Sequence, residues 1–131
     1  MKLVYPAIFT PFDDETGYTV EFPDLPGCVT EGDSLSNAIY MATDAASGWV
    51  LTELEDGNKA PKESDIESVK APKGSFVSLV ALDMDSYADK FGKKAVKKTL
   101  TIPAWMETYV EKHKISCSEV LQNALNKMIA E

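Results

Sequence analysis

The sequence predicts an α+β protein in which a βββαβ body precedes a small strand-helix-helix module. Three observations predict this class. Residues 2–12 are rich in β-forming residues, and residues 18–22 alternate polar and apolar, which is typical of strands. A long stretch then repeats its apolar residues at spacings of three and four, which indicates a helix. At residue 97 the pattern changes to one short strand and two amphipathic helices.

The first three strands are expected to form an antiparallel hairpin and a short addition to it. We predict them at residues 2–12, 18–22 and 28–32. Residues 13–17 are rich in Asp and end in Gly, which is typical of a turn. Pro6 and Pro11 are expected to push the first strand to a sheet edge or to split it, because proline cannot donate a ladder hydrogen bond.

A long helix follows, and Asp33 or Ser34 is expected to cap it. Its predicted buried face consists of Leu35, Ala38, Ile39, Ala42, Ala45, Ala46, Trp49 and Val50. The helix is expected to end near Gly57, and residues 59–74 to form a loop. Residues 76–82 are apolar enough to predict a central strand, and a short helical turn follows within residues 83–91.

The composition limits the classes of protein to which this chain can belong. Of 131 residues, 44% are hydrophobic and 26% charged, which is typical of a globular chain. No apolar run approaches the roughly 18 residues that span a bilayer. The N-terminus lacks the pattern of a signal peptide, so we expect a cytoplasmic protein with no membrane partner. Cys28 and Cys117 form no C-x-x-C motif, which predicts free thiols and neither a zinc site nor a cofactor.

Charge is divided unevenly along the chain. Up to Gly92, six lysines stand against 17 acidic residues, a net charge of −11; beyond it, seven lysines stand against four, a net charge of +3. The pattern of predicted elements divides the chain into a body at 1–83, a helical turn and linker at 84–96, and a module at 97–131. The asymmetry indicates two partners of opposite sign, although two solvated surfaces would show it as well.

The C-terminal module is incomplete as a monomer. Pro103 ends the strand at 97–102 and begins a helix at 104–113, and Ser116 and Glu119 form a capping box for a second helix. One strand and two amphipathic helices in about 35 residues cannot bury enough surface alone. A twofold dimer, in which two copies of the strand pair antiparallel, would complete the fold.

In such a dimer, the strand presents polar side chains to the outside. Because side chains alternate along a strand, Leu100 and Ile102 would point inward while Lys97, Thr99 and Thr101 point outward. A two-stranded ribbon fits the major groove of DNA, and the N-terminus of the second helix can bind a phosphate. The candidate DNA-binding residues are Lys97, Lys98, Thr99, Thr101, Ser116 and Ser118. The alternative is a dimerisation ribbon that binds no DNA.

The strand-Pro-helix-turn-Ser-x-Ser-Glu-helix pattern of residues 96–130 resembles the ribbon-helix-helix family of DNA-binding dimers. That family often has glycine in the turn between its helices. This chain has His113-Lys114-Ile115 instead, so His113 or Lys114 must adopt any left-handed conformation that the turn requires.

The run Gly-Tyr-Thr-Val-Glu-Phe-Pro-Asp-Leu-Pro-Gly-Cys at residues 17–28 resembles the N-terminal domain of HicB antitoxins, and the similarity extends over residues 1–83. The resemblance implies a partial ribonuclease-H-like body that binds and neutralises a small basic HicA-type toxin, an mRNA-cleaving ribonuclease. It also implies a tail that represses the operon by binding its operator DNA as a homodimer, with dimers of dimers left open.

Acidic residues around the predicted hairpin are the candidates for binding such a toxin, because a basic RNA-binding protein attracts negative charge. Tyr18 and Phe22 are candidate aromatic anchors if they are exposed, and inward packing is the alternative. The candidate toxin-binding residues are Asp13, Asp14, Glu15, Tyr18, Glu21, Phe22, Asp24, Glu31 and Asp33.

Catalysis is not expected. Metal-dependent hydrolysis needs several converging carboxylates, and no spacing in this chain indicates such a set. His113 is the only histidine, so the body can hold no nucleophilic triad. Two other functions stay open: a repressor whose body senses a small molecule, and a degenerate hydrolase with a dimerising tail.

Overall fold

The computed structural model describes residues 1–92 and 95–129, and it divides into one compact unit up to Gly92 and a second beyond it. The first unit contains β1 (Lys2–Pro11), β2 (Tyr18–Glu21), β3 (Val29–Gly32), α1 (Leu35–Glu55), a 3₁₀ turn (Ile66–Ser68), β4 (Phe76–Asp83) and α2 (Met84–Phe91). The second contains α3 (Ala104–His113) and α4 (Cys117–Ile129). The predicted α+β class and the βββαβ order are confirmed. Lys93 and Lys94 of the predicted linker lie outside the described residues.

The four strands form one antiparallel sheet in the order β3-β2-β1-β4. The first strand is therefore central, and the expectation that Pro6 moves it to an edge is wrong. Its pairing is divided instead: β4 pairs with Lys2 to Phe9, whereas β2 pairs only from Ile8 onward.

The position of Pro6 explains this division. The backbone N–H of Met84 donates to the carbonyl of Met1 at 3.0 Å. Because hydrogen-bonded residues alternate along an antiparallel pair, every odd-numbered residue of β1 directs its N–H and C=O toward β4. Even-numbered residues face the other side. The nitrogen of Pro6 thus faces a position beyond the end of β2, where its missing donor leaves no partner unsatisfied.

β4 lies at the edge of the sheet, so the prediction of a central strand is also wrong. Its apolar run conceals a one-sided pattern: Val80 and Leu82 are buried against the helix side, whereas Leu79 is 51% exposed on the other face. A continuous apolar run does not distinguish a strand buried on both faces from one that exposes apolar groups.

α1 packs on the face of the sheet that carries Val80 and Leu82, and it does so through small residues. Ala38, Ala42 and Ala46 are fully buried with Val50, and they form a core with side chains such as Tyr5 of β1. Ser34 is the N-cap, because its hydroxyl accepts from the N–H of Asn37 at 3.0 Å.

The predicted apolar face of α1 is only partly correct. Leu35 and Ile39 belong to it by spacing, yet each is 42% exposed. Ser47, which the spacing did not select, is buried. The helix therefore rests on its alanines, and its first turns extend an apolar surface into solvent.

The loop at 59–74 is fixed to the sheet at two points. The hydroxyl of Tyr5 donates to the carbonyl of Pro61 at 2.7 Å. The carboxylate of Asp24 accepts from both the N–H and the hydroxyl of Ser64, at 2.8 and 2.5 Å. Burial raises the pKa of Tyr5, and the charges of Glu63 and Asp24 raise it further, so the hydroxyl stays a donor.

Gly32→Ala should disrupt the contact between β3 and α1. An added Cβ would lie 2.3 Å from the backbone nitrogen of Ala38 and 2.5 Å from its Cα, and backbone cannot move aside as a flexible side chain can. We expect the free energy of unfolding to fall by about 1–3 kcal/mol, measured by urea denaturation. Glu31→Ala, at the exposed neighbouring position, is the control and should stay close to wild type. Equal stability of the two variants would contradict the close approach.

Candidate interaction surfaces

The turn between β1 and β2 carries three exposed acidic residues, Asp13, Asp14 and Glu15. The carboxylate of Asp14 accepts from the backbone N–H of Thr16 at 3.1 Å and from its hydroxyl at 2.7 Å. These hydrogen bonds lower the pKa of Asp14, so its charge persists to lower pH than that of a free carboxylate. The turn is thus locally ordered around Asp14.

The same turn lies against the end of β3. An added Cβ at Gly17 would be 2.2 Å from the carbonyl oxygen of Gly32 and 3.1 Å from the Cα of Asp33, so only glycine fits there. This approach brings acidic residues from two segments to one end of the sheet. We call this exposed set the acidic edge; its members are Asp13, Asp14, Glu15, Glu31 and Asp33.

The other two predicted acidic residues lie elsewhere. Glu21 is exposed at the end of β2, opposite Ile8 of β1. Asp24 is half-buried, and its carboxylate is engaged with Ser64, which gives it a role in holding the loop.

The two aromatic candidates pack inward. Phe22 is 3% exposed within the core, so the expectation that it could anchor a partner is wrong, and the alternative of inward packing holds. Tyr18 is half-buried against the same core, and its ring meets Phe76 edge to face at 6.0 Å between ring centroids. Alternation along β2 places residues 18, 20 and 22 on the helix side of the sheet, which the sequence alone did not determine.

A groove of about 570 Å³, open to solvent, lies between the end of β2 and the loop at 59–74. Sequence reasoning missed it, because its walls come from three distant segments without a shared motif. The lining residues are Ile8, Glu21, Phe22, Pro23, Asp24, Gly27, Cys28, Val29, Ser64, Ser68, Val69 and Lys70.

A buried cysteine, Cys28, lines this groove. Burial raises the pKa of the Cys28 thiol, so the reactive thiolate is disfavoured.

Within residues 1–92 and 95–129, no group of three or more His, Cys, Asp or Glu side chains could hold a metal ion. Over the same residues, no helix is both long and apolar enough to cross a bilayer.

The segment before α3 exposes all four of its candidate DNA-binding residues, Lys97, Lys98, Thr99 and Thr101. Residues 95–103 belong to neither a helix nor a strand in the single chain. A strand there requires a second copy for its hydrogen bonds, so the ribbon stays a prediction.

Apolar side chains of the second unit are largely exposed. Leu100 is 52% exposed in the segment before α3, and Trp105 and Tyr109 on α3 are 69% and 54% exposed. On α4, Val120 and Met128 are 55% and 69% exposed. So much apolar surface on so small a unit is typical of an interface that a partner covers.

The turn between α3 and α4 contains one left-handed residue. Lys114 adopts this conformation, with φ 51° and ψ 47°, and the N–H of Ile115 donates to the carbonyl of Val110 at 3.1 Å. The hydroxyl of Ser116 accepts from the N–H of Glu119 at 3.3 Å, which caps α4. Ser118 is exposed in its first turn.

His113, the only histidine of the chain, is the last residue of α3. The ring of His113 stacks on Tyr109 with 4.0 Å between ring centroids, and its Nδ1 lies 3.0 Å from the carbonyl oxygen of Tyr109. It therefore has a local structural role near the helix C-terminus.

Comparison with known proteins identifies relatives over nearly the whole chain. A family model described as a HicB-like antitoxin of bacterial toxin-antitoxin systems matches residues 5–125. An uncharacterized 14.9 kDa protein from the rep-hol intergenic region of Haemophilus phage HP1 is 35% identical over 105 residues, which cover 78% of this chain and 74% of the phage protein.

Two solved structures share the fold. A chain of a toxin-antitoxin complex from Streptococcus pneumoniae superimposes with a TM-score of 0.61 at 29% identity, covering 98% of this chain and 99% of that one. The antitoxin HicB of Burkholderia pseudomallei superimposes with a TM-score of 0.55 at 26% identity, covering 96% and 98%.

Lys114→Gly should stabilise the second unit. A left-handed L-residue costs about 1–2 kcal/mol, and glycine avoids most of this cost while losing about 0.5–1 kcal/mol of chain entropy. We expect a net gain of about 0.5–1 kcal/mol, measured by thermal unfolding. Lys112→Gly, within α3, is the matched control and should lose about 1 kcal/mol. A loss of similar size in both variants would contradict the left-handed assignment.

Proposed function

Because the chain belongs to the HicB-like antitoxin family of bacterial toxin-antitoxin systems, we propose that its first unit neutralises a small basic HicA-type ribonuclease toxin. We propose further that its second unit dimerises, binds operator DNA as a ribbon-helix-helix module and represses the operon that encodes both proteins. In this proposal the chain acts by binding in the cytoplasm and performs no catalysis.

The observation that carries the proposal is the agreement between charge and architecture. The boundary between the two compact units follows Gly92, where the net charge changes from −11 to +3. Each unit therefore has its own folded surface and its own sign of charge. An acidic unit favours a basic partner, and a basic unit favours the phosphates of DNA.

The acidic edge is the proposed contact with the toxin. Its five carboxylates come from the β1–β2 turn and from the region of β3, and all are exposed. A basic surface that binds RNA phosphates has the complementary charge, so the acidic edge would compete for the groups that hold the toxin's substrate. Glu21 lies beside the groove and is a further candidate contact with the toxin. Phe22 is buried in the core and is not part of the proposed contact.

The exposed apolar residues of the second unit support the proposed homodimer. Two copies of the segment before α3 would pair antiparallel and cover Leu100 and Ile102, which are 52% and 39% exposed in one chain. Thr99 and Thr101 would then lie on the outer face of the ribbon, where hydroxyl and methyl groups can contact base edges. Ser116 and Ser118 would lie at the N-terminus of α4, near a backbone phosphate.

Co-expression tests the antitoxin half. We expect a short neighbouring gene to encode a basic protein that stops growth alone, and this chain to restore growth and co-purify with it. The double charge reversal Asp13→Lys with Glu31→Lys should weaken the complex at least about tenfold, mainly through slower association at low salt.

The control for that variant has the same net charge. Glu67→Lys with Asp89→Lys changes two exposed acids outside the acidic edge and should bind nearly as well as wild type. Equal weakening by both pairs would argue against the acidic edge as the contact. If no neighbouring protein binds, the antitoxin half fails, and operator binding that a metabolite alters would favour a small-molecule sensor.

Operator binding tests the other half. Thr99→Ala or Thr101→Ala should each reduce discrimination between operator and unrelated DNA by about 1–3 kcal/mol, while toxin neutralisation persists. Lys97→Ala or Lys98→Ala should weaken binding to all sequences and reduce its dependence on salt. Fluorescence anisotropy at several salt concentrations measures both. Thr52→Ala and Lys62→Ala in the first unit are controls, and similar losses in them would contradict the ribbon.

A further inference from the structure

The first two turns of α1 expose four large apolar side chains close together. Tyr40 is 76% exposed, Leu35 and Ile39 are each 42% exposed, and Met41 is 41% exposed. We call these four residues the α1 patch. The helix can expose them because it rests on the sheet through its buried alanines, whose short side chains reach the core while the longer ones around them stay in solvent.

No lysine or arginine of α1 shields this patch. The helix runs from Leu35 to Glu55 without either residue type, whose long aliphatic stems often cover apolar surface. An exposed apolar surface on a folded unit is typical of a place where a partner binds. Tyrosine and methionine are among the residue types that are enriched in such interfaces.

The α1 patch is continuous with the acidic edge. Asp33, a member of that edge, lies two residues before Leu35, and two hydrogen bonds fix the junction. The N–H of Asp33 donates to the side-chain oxygen of Asn37 at 3.0 Å, and the N–H of Asn37 donates to the hydroxyl of Ser34 at 3.0 Å. Charged and apolar surfaces therefore lie side by side on one part of the first unit.

The charge around the patch has one sign. Between Leu3 and Asn58 the chain has 11 acidic residues and no Lys, Arg or His. Asp44, which is exposed, lies one turn after Tyr40 on the same side of α1. A second copy of this surface, a nucleic acid or an anionic membrane would each bring negative charge to it, so all three are unfavourable partners. A basic protein is the partner that this surface fits.

The acidic edge alone lacks the side chains that make a contact tight. Complementary charge mainly accelerates association and selects the partner, whereas most of the binding energy comes from a few side chains that become buried, often aromatic ones. Phe22 is buried in the core, and Tyr18 is half-buried against it. The α1 patch offers exposed apolar side chains, Tyr40 above all, next to the same charges.

We propose that the α1 patch is the apolar centre of the surface that binds the basic toxin, and that the acidic edge and Asp44 form its charged rim. This inference rests on the proposed antitoxin function and adds a contact made by a helix to the one made by the β1–β2 turn. Tyr40 contributes most, because it has the largest exposed fraction of the four residues. Its ring offers a broad apolar face, and its hydroxyl can hydrogen-bond.

Binding of the full-length chain to the basic protein encoded beside it tests the proposal. Tyr40→Ala should weaken the complex at least about tenfold, mainly through faster dissociation, because it removes apolar contact and leaves the charge unchanged. Alanine has a high helix propensity, so the unfolding temperature should not fall. Leu79→Ala is the matched control: Leu79 is 51% exposed on the opposite face of the sheet, and its truncation should leave the affinity nearly unchanged.

Thiol labelling of the complex gives an independent readout that leaves the α1 patch intact. In a Cys117→Ser background, which removes the exposed native thiol, Ser36→Cys introduces a thiol one turn before Tyr40. Its reaction with a maleimide, followed by mass spectrometry, should slow at least about tenfold when the toxin is bound, because the centre of an interface excludes solvent. Ser86→Cys, exposed on α2, is the matched control and should react equally fast in both states.

The outcomes separate this inference from the function on which it rests. A complex that Tyr40→Ala weakens and that protects Ser36→Cys supports the α1 patch. If the wild-type chain binds the toxin but Tyr40→Ala binds equally well, or Ser36→Cys labels as fast in the complex, the inference is wrong and the antitoxin proposal stands. Equal weakening by Tyr40→Ala and Leu79→Ala would also overturn the inference. If the wild-type chain binds no neighbouring basic protein, both are wrong.

Discussion

The two-sided pairing of β1 is the constraint on which the first unit depends. β4 pairs with the first eight residues of β1, and β2 pairs with the last four. Pro6 of β1 precedes the residues that pair with β2. Because β2 ends at Glu21, the chain turns away at Pro23 and leaves the groove beside Ile8. The same arrangement places β4 at the outer edge of the sheet.

The structure separates contacts that stabilise the fold from surfaces that can bind. Small residues allow the close approaches: Gly17 and Gly32 bring the turn and β3 together, and the alanines of α1 let the helix rest on the sheet. Five exposed acidic residues lie at the turn and beside β3. Exposed apolar side chains lie on β4, on α1, where Tyr40 is 76% exposed, and throughout the second unit.

Much of the local structure could be predicted from the sequence, because it depends on neighbours in the chain. The limits of α3 and the cap at Ser116 follow from local hydrogen bonds and sterics, as does the inference that His113 or Lys114 adopts any left-handed conformation in the turn. The candidate acidic residues were identified from charge, and five of them form one surface. Phe22 could not be assigned in this way, because a strand pattern gives alternation without saying which face meets the helix.

By itself, the sequence determined the order of the elements in the first unit, the division of charge at Gly92 and the two amphipathic helices of the second unit, all of which depend on local pattern and composition. Only the tertiary structure decided that β1 is central, that β4 is an edge and that Asp24 holds the loop through Ser64. The physical reason is that strand order and cross-chain hydrogen bonds join residues distant in sequence. Their geometry depends on how whole elements pack, which no local pattern specifies.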